Sequence, residues 1–341
     1  MKKNKILIIH TGGTIGMVRT ENGYAPRRGA LISELRQIRD LTSPDMPEWD
    51  FVEFDPLLDS TNIRYEQWNM IADTIAANYD AYDGFVVLHG TDTLAYSASA
   101  LSFMLEGLNK PVVFTGAQIP LCELRSDGRD NIITSMMIAD DGLVREVSLY
   151  FGGSLLRGNR AIKYSADRMV AFTSPNWPVL ADAGISIEYS EAAHSGSNDR
   201  SCSSGPSVAE MKSCRIGVIK IVPGIQFDIF APIRFEELDG LILESFGKGN
   251  IPKYDPALTR LITEASKSGT VVVVCTQCPA GAISLGTYEA GSALVRAGAV
   301  SGGNMTTEAA ITKLNYLFSK GLARDEICRL MQTDLRGELT V

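Results

Sequence analysis

Histidine is scarce in this chain: His10, His89 and His194 are the only three among 341 residues, and they stand far apart. A metal centre built mainly on imidazole is therefore not expected. Cysteine offers little more. Of the six, only Cys275 and Cys278 lie close together, in the stretch CTQC, and no second CxxC pair accompanies them. Behind the apolar run VVVV they read as buried thiols rather than as a redox pair or half of a zinc site, and no structural disulfide is expected. Positive charge is not in excess either. A net charge of −8 lacks the basic footprint that nucleic acid or an anionic membrane would need.

Long hydrophobic runs are missing as well. The run ILII at 6–9 follows several lysines but stops at His10, well short of a signal-peptide core, and no stretch reaches the length of a membrane span. The expected location is the cytoplasm. A dinucleotide fingerprint GxGxxG would need glycine at position 11, which is Thr11, and no GxxxxGK[ST] occurs. What remains is an ordinary globular composition, 45% apolar and 21% charged, in a chain long enough for two domains. Small molecules or other proteins are the expected partners.

Apolar strand-like runs at 6–10, 50–54, 84–89, 111–116 and 147–153 alternate with helical spacing over 30–41, 65–79, 93–108 and 131–141. Continuous Val/Ile/Leu strands separated by helices predict a parallel sheet covered on both faces. The stretch 189–212 is rich in Ser and Gly, has no periodicity and reads as a linker. Alternation resumes with strands over 215–222, 238–245 and 270–275 and helices over 255–266, 288–297, 306–319 and 324–333. The expected fold is α/β in two domains: a larger N-terminal parallel-sheet domain over 1–188, the linker, and a smaller C-terminal α/β domain over 213–341.

In open α/β sheets ligands bind beyond the carboxyl ends of the strands, so the residues each strand delivers there matter most. The first delivers HTGGTIG (10–16), in which glycines surround Thr14. That threonine is either a turn residue or a nucleophile with space cleared around its hydroxyl. The second leads to Asp59, Ser60 and Thr61, and the third to HGTDT (89–93). Thr91 and Asp92 fit a helix N-cap, and equally a reactive pair. A later strand leads through GGSLLRGNRAIK to Lys163, either a solvated surface residue or a base that an aspartate could hold in place once desolvation lowers its pKa.

HTGGTIG and HGTDT, together with PVVFTGAQIP, LRSDGRDN, FGGSLLRGNRAIK, ESFGKGN, TQCPAG and MTTEAAITKLNYL, resemble the bacterial-type L-asparaginase family over essentially the whole chain. TGAQIPL, TQCPAG and the lack of a signal peptide resemble its cytoplasmic type I branch. The resemblance implies hydrolysis of L-asparagine through an acyl-enzyme, without metal or cofactor. It implies Thr14 as nucleophile, assisted by Tyr24, with Thr91, Asp92 and Lys163 activating water or relaying protons. Gly13, Asp59, Ser60, Thr61, Gly90, Thr91 and Asp92 would bind substrate, with Gly90 and the Thr91 backbone at the oxyanion. Asn250 would reach the site from a neighbouring subunit of a homodimer or homotetramer. A weaker glutaminase activity fits the same site. The alternatives are an asparaginase-like amidotransferase subunit and a non-catalytic amino-acid sensor. An effector site in such relatives would correspond to Thr276, Gln277 and Cys278, with Glu244 where they carry an arginine, so a carboxylate effector would meet repulsion.

Overall fold

The computed structural model describes residues 3–194, 205–230, 234, 237–252, 256–286 and 289–340. By its internal contacts the chain divides into two compact units, Met1–Val208 and Ala209–Val341.

The first unit is built on one sheet of eight strands. They are β1 (Lys5–Gly12), β2 (Glu48–Leu58), β3 (Gly84–Leu88), β4 (Val112–Thr115), β5 (Val147–Phe151), β6 (Ser154–Arg157), β7 (Ala181–Ala183) and β8 (Ile187–Tyr189), in the spatial order β8-β7-β6-β5-β4-β3-β1-β2. β1 to β5 pair in parallel. Helices Tyr65–Ala77, Leu94–Met104 and Gly128–Asp141 connect them. Ile6, Ile8, Val86, Leu88 and Val113 enter one core with Ile132, Met136 and Ala139 of the last of these helices. All five residues of β3 are buried, as expected where both faces of a strand are covered.

Three further strands continue the sheet in antiparallel pairing, which departs from the parallel expectation. The cause is local. Gly152 and Gly153, at φ 57° and 97°, form a two-residue turn that only antiparallel neighbours can share. The helical spacing over 30–41 also resolves into two pieces. A short helix, Ala30–Leu35, is followed by a 3₁₀ turn, Arg39–Thr42, because Ile38 between them is extended.

Of the stretch expected as a linker, residues 195–204, including Cys202, lie outside the described residues. Its flanks are structured: Tyr189 ends β8, and Ser207–Val208 pairs with Leu105–Glu106. The division between units consequently falls after Val208.

The second unit carries four parallel strands, β9 (Ile216–Lys220), β10 (Gly240–Ser245), β11 (Val271–Thr276) and β12 (Ala299–Ser301), in that spatial order. Helix Ala257–Lys267 buries Leu258, Ile262 and Ala265, the i, i+4, i+7 stripe of an amphipathic helix. Helix Thr307–Ser319 starts where the Thr306 hydroxyl accepts from Ala309 N. Lys313 on that helix meets Glu338 at 2.5 Å with both side chains fully buried. The carboxylate also accepts the N–H groups of Leu335 and Arg336, so the pair holds the C-terminal segment against the helix. Among the described residues no helix is long and apolar enough to cross a membrane.

Candidate active site

The strand order places β1 between β2 and β3, with connections leaving to opposite sides. That is the switch point at which open α/β sheets form a crevice beyond their carboxyl ends. Three loops meet there, and glycine lets them meet. A Cβ on Gly12 would lie 2.1 Å from Leu58 O, and one on Gly13 would lie 2.3 Å from Gly90 Cα. A Cβ on Gly90 would lie 2.5 Å from Ser60 Oγ. Gly12 and Gly13 also sit at φ 133° and 85°, where side chains are disfavoured. The room these glycines clear is filled by neighbouring backbone at Gly12 and Gly13 and by the Ser60 side chain at Gly90. They let HTGGTIG, HGTDT and the Asp59–Thr61 turn approach closely enough to form one site, so Thr14 and Thr91 each follow a glycine of the same backbone contact.

Thr14 opens a 3₁₀ turn and is half-buried. Among the described residues its hydroxyl has no hydrogen-bond partner. Thr91 differs. It is buried, its hydroxyl lies 3.2 Å from Gln118 Oε1, and Lys163 Nζ donates to Thr91 Oγ1 at 2.9 Å. Lys163 Nζ also donates to Asp92 Oδ1 at 2.7 Å, with the lysine side chain 19% exposed. Thr91 and Asp92 therefore do not cap the following helix. Thr93 holds the N-cap position, and its hydroxyl donates to Ser60 O at 2.7 Å.

Ser60 is buried, whereas Asp59 and Thr61 are exposed, and the Asp59 carboxylate accepts from Thr61 N at 3.1 Å. Tyr24 lies on the hairpin Met17–Thr20/Gly23–Pro26. Its hydroxyl donates to Glu123 Oε1 at 2.8 Å and lies 3.3 Å from Arg19 Nη2, so the structure engages it away from Thr14. Asn250 belongs to the second unit, where its backbone bridges to Phe246.

Three supporting residues were not singled out from the sequence. Gln118 donates from Nε2 to Ala166 O and Arg168 O, which turns its Oε1 toward the Thr91 hydroxyl. Asp127 accepts the N–H groups of Gln118 and Ile119. Asn131 donates to Gly116 O and accepts from Gly152 N. The signal lay in TGAQIP and LRSDGRDN, two polar loops bounding apolar segments.

His10 sits behind the Thr14 turn. Its Nδ1 is 3.2 Å from Glu53 Oε1, whose other oxygen accepts from Gly29 N, and burial pushes its pKa down. A Cβ on Gly16 would touch the ring at 2.6 Å, so the turn packs directly on the imidazole.

In the second unit, Glu244, Thr276, Gln277 and Cys278 lie at the carboxyl ends of β10 and β11. Thr307 Oγ1 donates to Glu244 Oε1 at 2.7 Å, and Lys220 Nζ is 3.7 Å from Oε2. Gln277 Nε2 donates to Ile221 O and Glu244 O. Cys275 is buried, and burial with the nearby carboxylates of Glu244 and Glu308 pushes its thiol up to about 12. Cys278 is exposed, contrary to the expectation of two buried thiols, because it lies past the end of β11.

Residues 5–195 match the family described as asparaginase, N-terminal, and residues 215–331 the glutaminase/asparaginase C-terminal domain. The chain is 45% identical to L-asparaginase 1 of Escherichia coli, over 100% of this chain and 99% of that one. It is 32% identical to an L-asparaginase of Thermococcus kodakarensis, over 98% of this chain and 99% of that one. The solved structure of L-asparaginase I from Vibrio cholerae superposes with a TM-score of 0.91 at 44% identity, covering 99% of this chain and 100% of that one.

Proposed function

Because this chain belongs to the asparaginase family, we propose that it hydrolyses the side-chain amide of L-asparagine to L-aspartate and ammonia, with Thr14 as nucleophile. The observation that carries the reading is the Lys163 ammonium bridging Thr91 Oγ1 and Asp92 Oδ1 beside the Gly13–Gly90 contact, with the Thr14 hydroxyl left unengaged. Thr14 Oγ attacks the amide carbon and forms a tetrahedral intermediate whose oxyanion faces the Gly90–Thr91 backbone. An aimed N–H there is worth roughly 10²- to 10³-fold in rate. As it collapses the amide nitrogen takes up the proton that the Thr14 hydroxyl gave up, so ammonia leaves and an aspartyl ester remains on Thr14. Water then attacks the ester carbonyl, and its proton is relayed by the Thr91–Lys163–Asp92 group to Thr14 Oγ as the ester C–O bond breaks, which yields aspartate and regenerates Thr14.

Asp59, Ser60 and Thr61 hold the α-carboxylate and α-amino groups, with Asp92 facing the ammonium. Gly13 lies against the substrate through its backbone. Tyr24 assists Thr14 in this reading once its hydroxyl leaves Glu123 Oε1. The protein works as a homodimer or homotetramer in the cytoplasm, with Asn250 completing a neighbour's site and glutamine as a weaker substrate. Glu244, Thr276, Gln277 and Cys278 mark the place of an effector site that is either absent or rebuilt for a ligand other than a carboxylate.

Ammonia release from asparagine and glutamine by the purified protein, run beside Thr14→Ala, tests the reading. Turnover without an added partner or RNA sets it apart from an amidotransferase component, and binding without ammonia release would reveal a sensor. Sedimentation at assay concentration tests the oligomer, since full activity in a monomer would contradict it.

A further inference from the structure

The histidine that opens HGTDT has no place in the mechanism above, yet every hydrogen-bonding atom of its ring is used. His89 is fully buried, directly after β3. Its Nδ1 lies 2.7 Å from Gly90 O, and its Nε2 lies 2.9 Å from Ser97 Oγ. Trp68 Nε1 donates to the same Ser97 Oγ at 2.9 Å. Trp68 and Ser97 are buried too.

The chemistry of the two ends fixes every direction between them. An indole N–H can only donate and a carbonyl can only accept. Nδ1 must therefore carry a proton toward Gly90 O. Burial pushes the imidazole down to about 4, so near neutral pH the ring holds one proton and Nε2 is bare. Ser97 O–H must then donate to Nε2, while its oxygen accepts from Trp68. The result is a one-way chain from Trp68 N–H through Ser97 and His89 to Gly90 C=O.

That carbonyl belongs to the peptide whose N–H is that of Thr91. In a trans peptide the two groups point in opposite directions, so fixing the carbonyl fixes the N–H. Among the described residues no carbonyl accepts from Thr91 N–H, which leaves it for a ligand. A carbonyl that accepts a buried hydrogen bond also polarises its peptide and makes the N–H a better donor.

We infer that His89 is a positioning residue: with Ser97 and Trp68 it locks the Gly90–Thr91 peptide so that Thr91 N–H faces the oxyanion. This rests on the asparaginase reading of the site. The imidazole neither contacts substrate nor exchanges a proton in the reaction. Its contribution belongs to kcat, because the oxyanion exists only after attack.

The test has two arms. In the intact protein labelled with ¹⁵N-histidine, three histidines give a sparse NMR spectrum. The inference expects the His89 ring to be neutral at pH 7, with Nδ1 protonated and Nε2 bare. The opposite tautomer or a charged ring would overturn it. In the kinetic arm, His89→Leu is expected to lower kcat for ammonia release roughly ten- to hundred-fold with KM within about threefold. His89→Asn, which retains a donor near Nδ1, is expected to recover most of that loss. Ser97→Ala, a small change that keeps the fold if His89→Leu does not, is expected to lower kcat several-fold. Wild-type kcat in folded His89→Leu or Ser97→Ala would overturn the inference, as would a loss that appears in KM alone. Absence of ammonia release by the wild type would instead overturn the asparaginase reading, and the NMR arm would still report on the chain of hydrogen bonds.

Discussion

Both units end parallel strands in polar residues, yet the two strand-end clusters are in opposite states. At the ends of β10 and β11, Gln277 spends its amide on two backbone carbonyls and Glu244 is held by Thr307. At the ends of β1 and β3, the Thr14 hydroxyl has no partner among the described residues, and Lys163 Nζ donates to the side chains of Thr91 and Asp92. A position at a strand's carboxyl end therefore does not make a site. The difference lies in whether the polar groups are consumed by the fold or by one another.

The contrast fails most visibly when the unengaged Thr14 hydroxyl is removed, or the Lys163 ammonium that joins Thr91 to Asp92. Thr14→Ala and Lys163→Met are each expected to lower kcat on the order of 10³- to 10⁶-fold, the range for groups that act as a unit. Thermal unfolding should stay near wild type for Thr14→Ala, whose lost hydroxyl bonds to nothing among the described residues. Near wild-type ammonia release in the Thr14→Ala protein would remove it as nucleophile.

Next comes a polar pair wholly consumed by the fold. Lys313→Met leaves Glu338 buried without its cation, so a loss of about 3–5 kcal/mol is expected in denaturant unfolding. Catalytic rate per folded molecule should not change.

Gly13→Ala sits between the two cases. The new methyl would strike Gly90 backbone at 2.3 Å, and φ 85° disfavours any side chain. A stability loss of about 2–5 kcal/mol is expected, together with loss of activity, because the two motifs can no longer touch. Ordinary stability with retained turnover would show that the glycine contact is dispensable.

His89 gives a smaller effect that depends on pH. Its folded pKa, about 4, lies below the unfolded value near 6.5, so the unfolded chain binds the proton more readily. Stability from this group is complete above pH about 6.5 and is lost as pH falls toward 4, by about 3 kcal/mol in total. Subtracting the unfolding free energies of His89→Asn from wild type across that window isolates the slope. A flat difference would mean that the imidazole is not held neutral.

The smallest effect is expected at Glu244. Initial rate against asparagine should follow a near-hyperbolic curve, since a carboxylate effector meets an anion there. A sigmoidal curve abolished by mutating Thr276 or Cys278 would contradict this.

Much of this arrangement was legible in the sequence because period and punctuation are local. Apolar runs ending in HTGGTIG and HGTDT located the strand ends, and the resemblance joined them to Lys163, which lies 2.9 Å from Thr91 Oγ1. The antiparallel strands after β5 were foreshadowed only by the dipeptide Gly152-Gly153. What could not be read was long-range. Gln118 binds carbonyls 48 and 50 residues away, and nothing near it in the chain announces those partners. In the sequence alone, the glycines beside Thr14 suggest space cleared around its hydroxyl. Their real neighbours, Leu58 and Gly90, became visible only with the loops in place. Tyr24 was tied to Thr14 by resemblance, while its hydroxyl rests on Glu123, 99 residues away.

In the proposed reaction the unengaged threonine of the first motif, and not the bonded threonine of the second, takes up the acyl group. Rapid acid quenching of the protein turning over asparagine, followed by tryptic mass mapping, tests it directly. The expected product is an aspartyl ester on the peptide Ile6–Arg19, located at Thr14 and absent from Thr14→Ala. An adduct on the peptide that carries Thr91, or the same adduct persisting in Thr14→Ala, would contradict it.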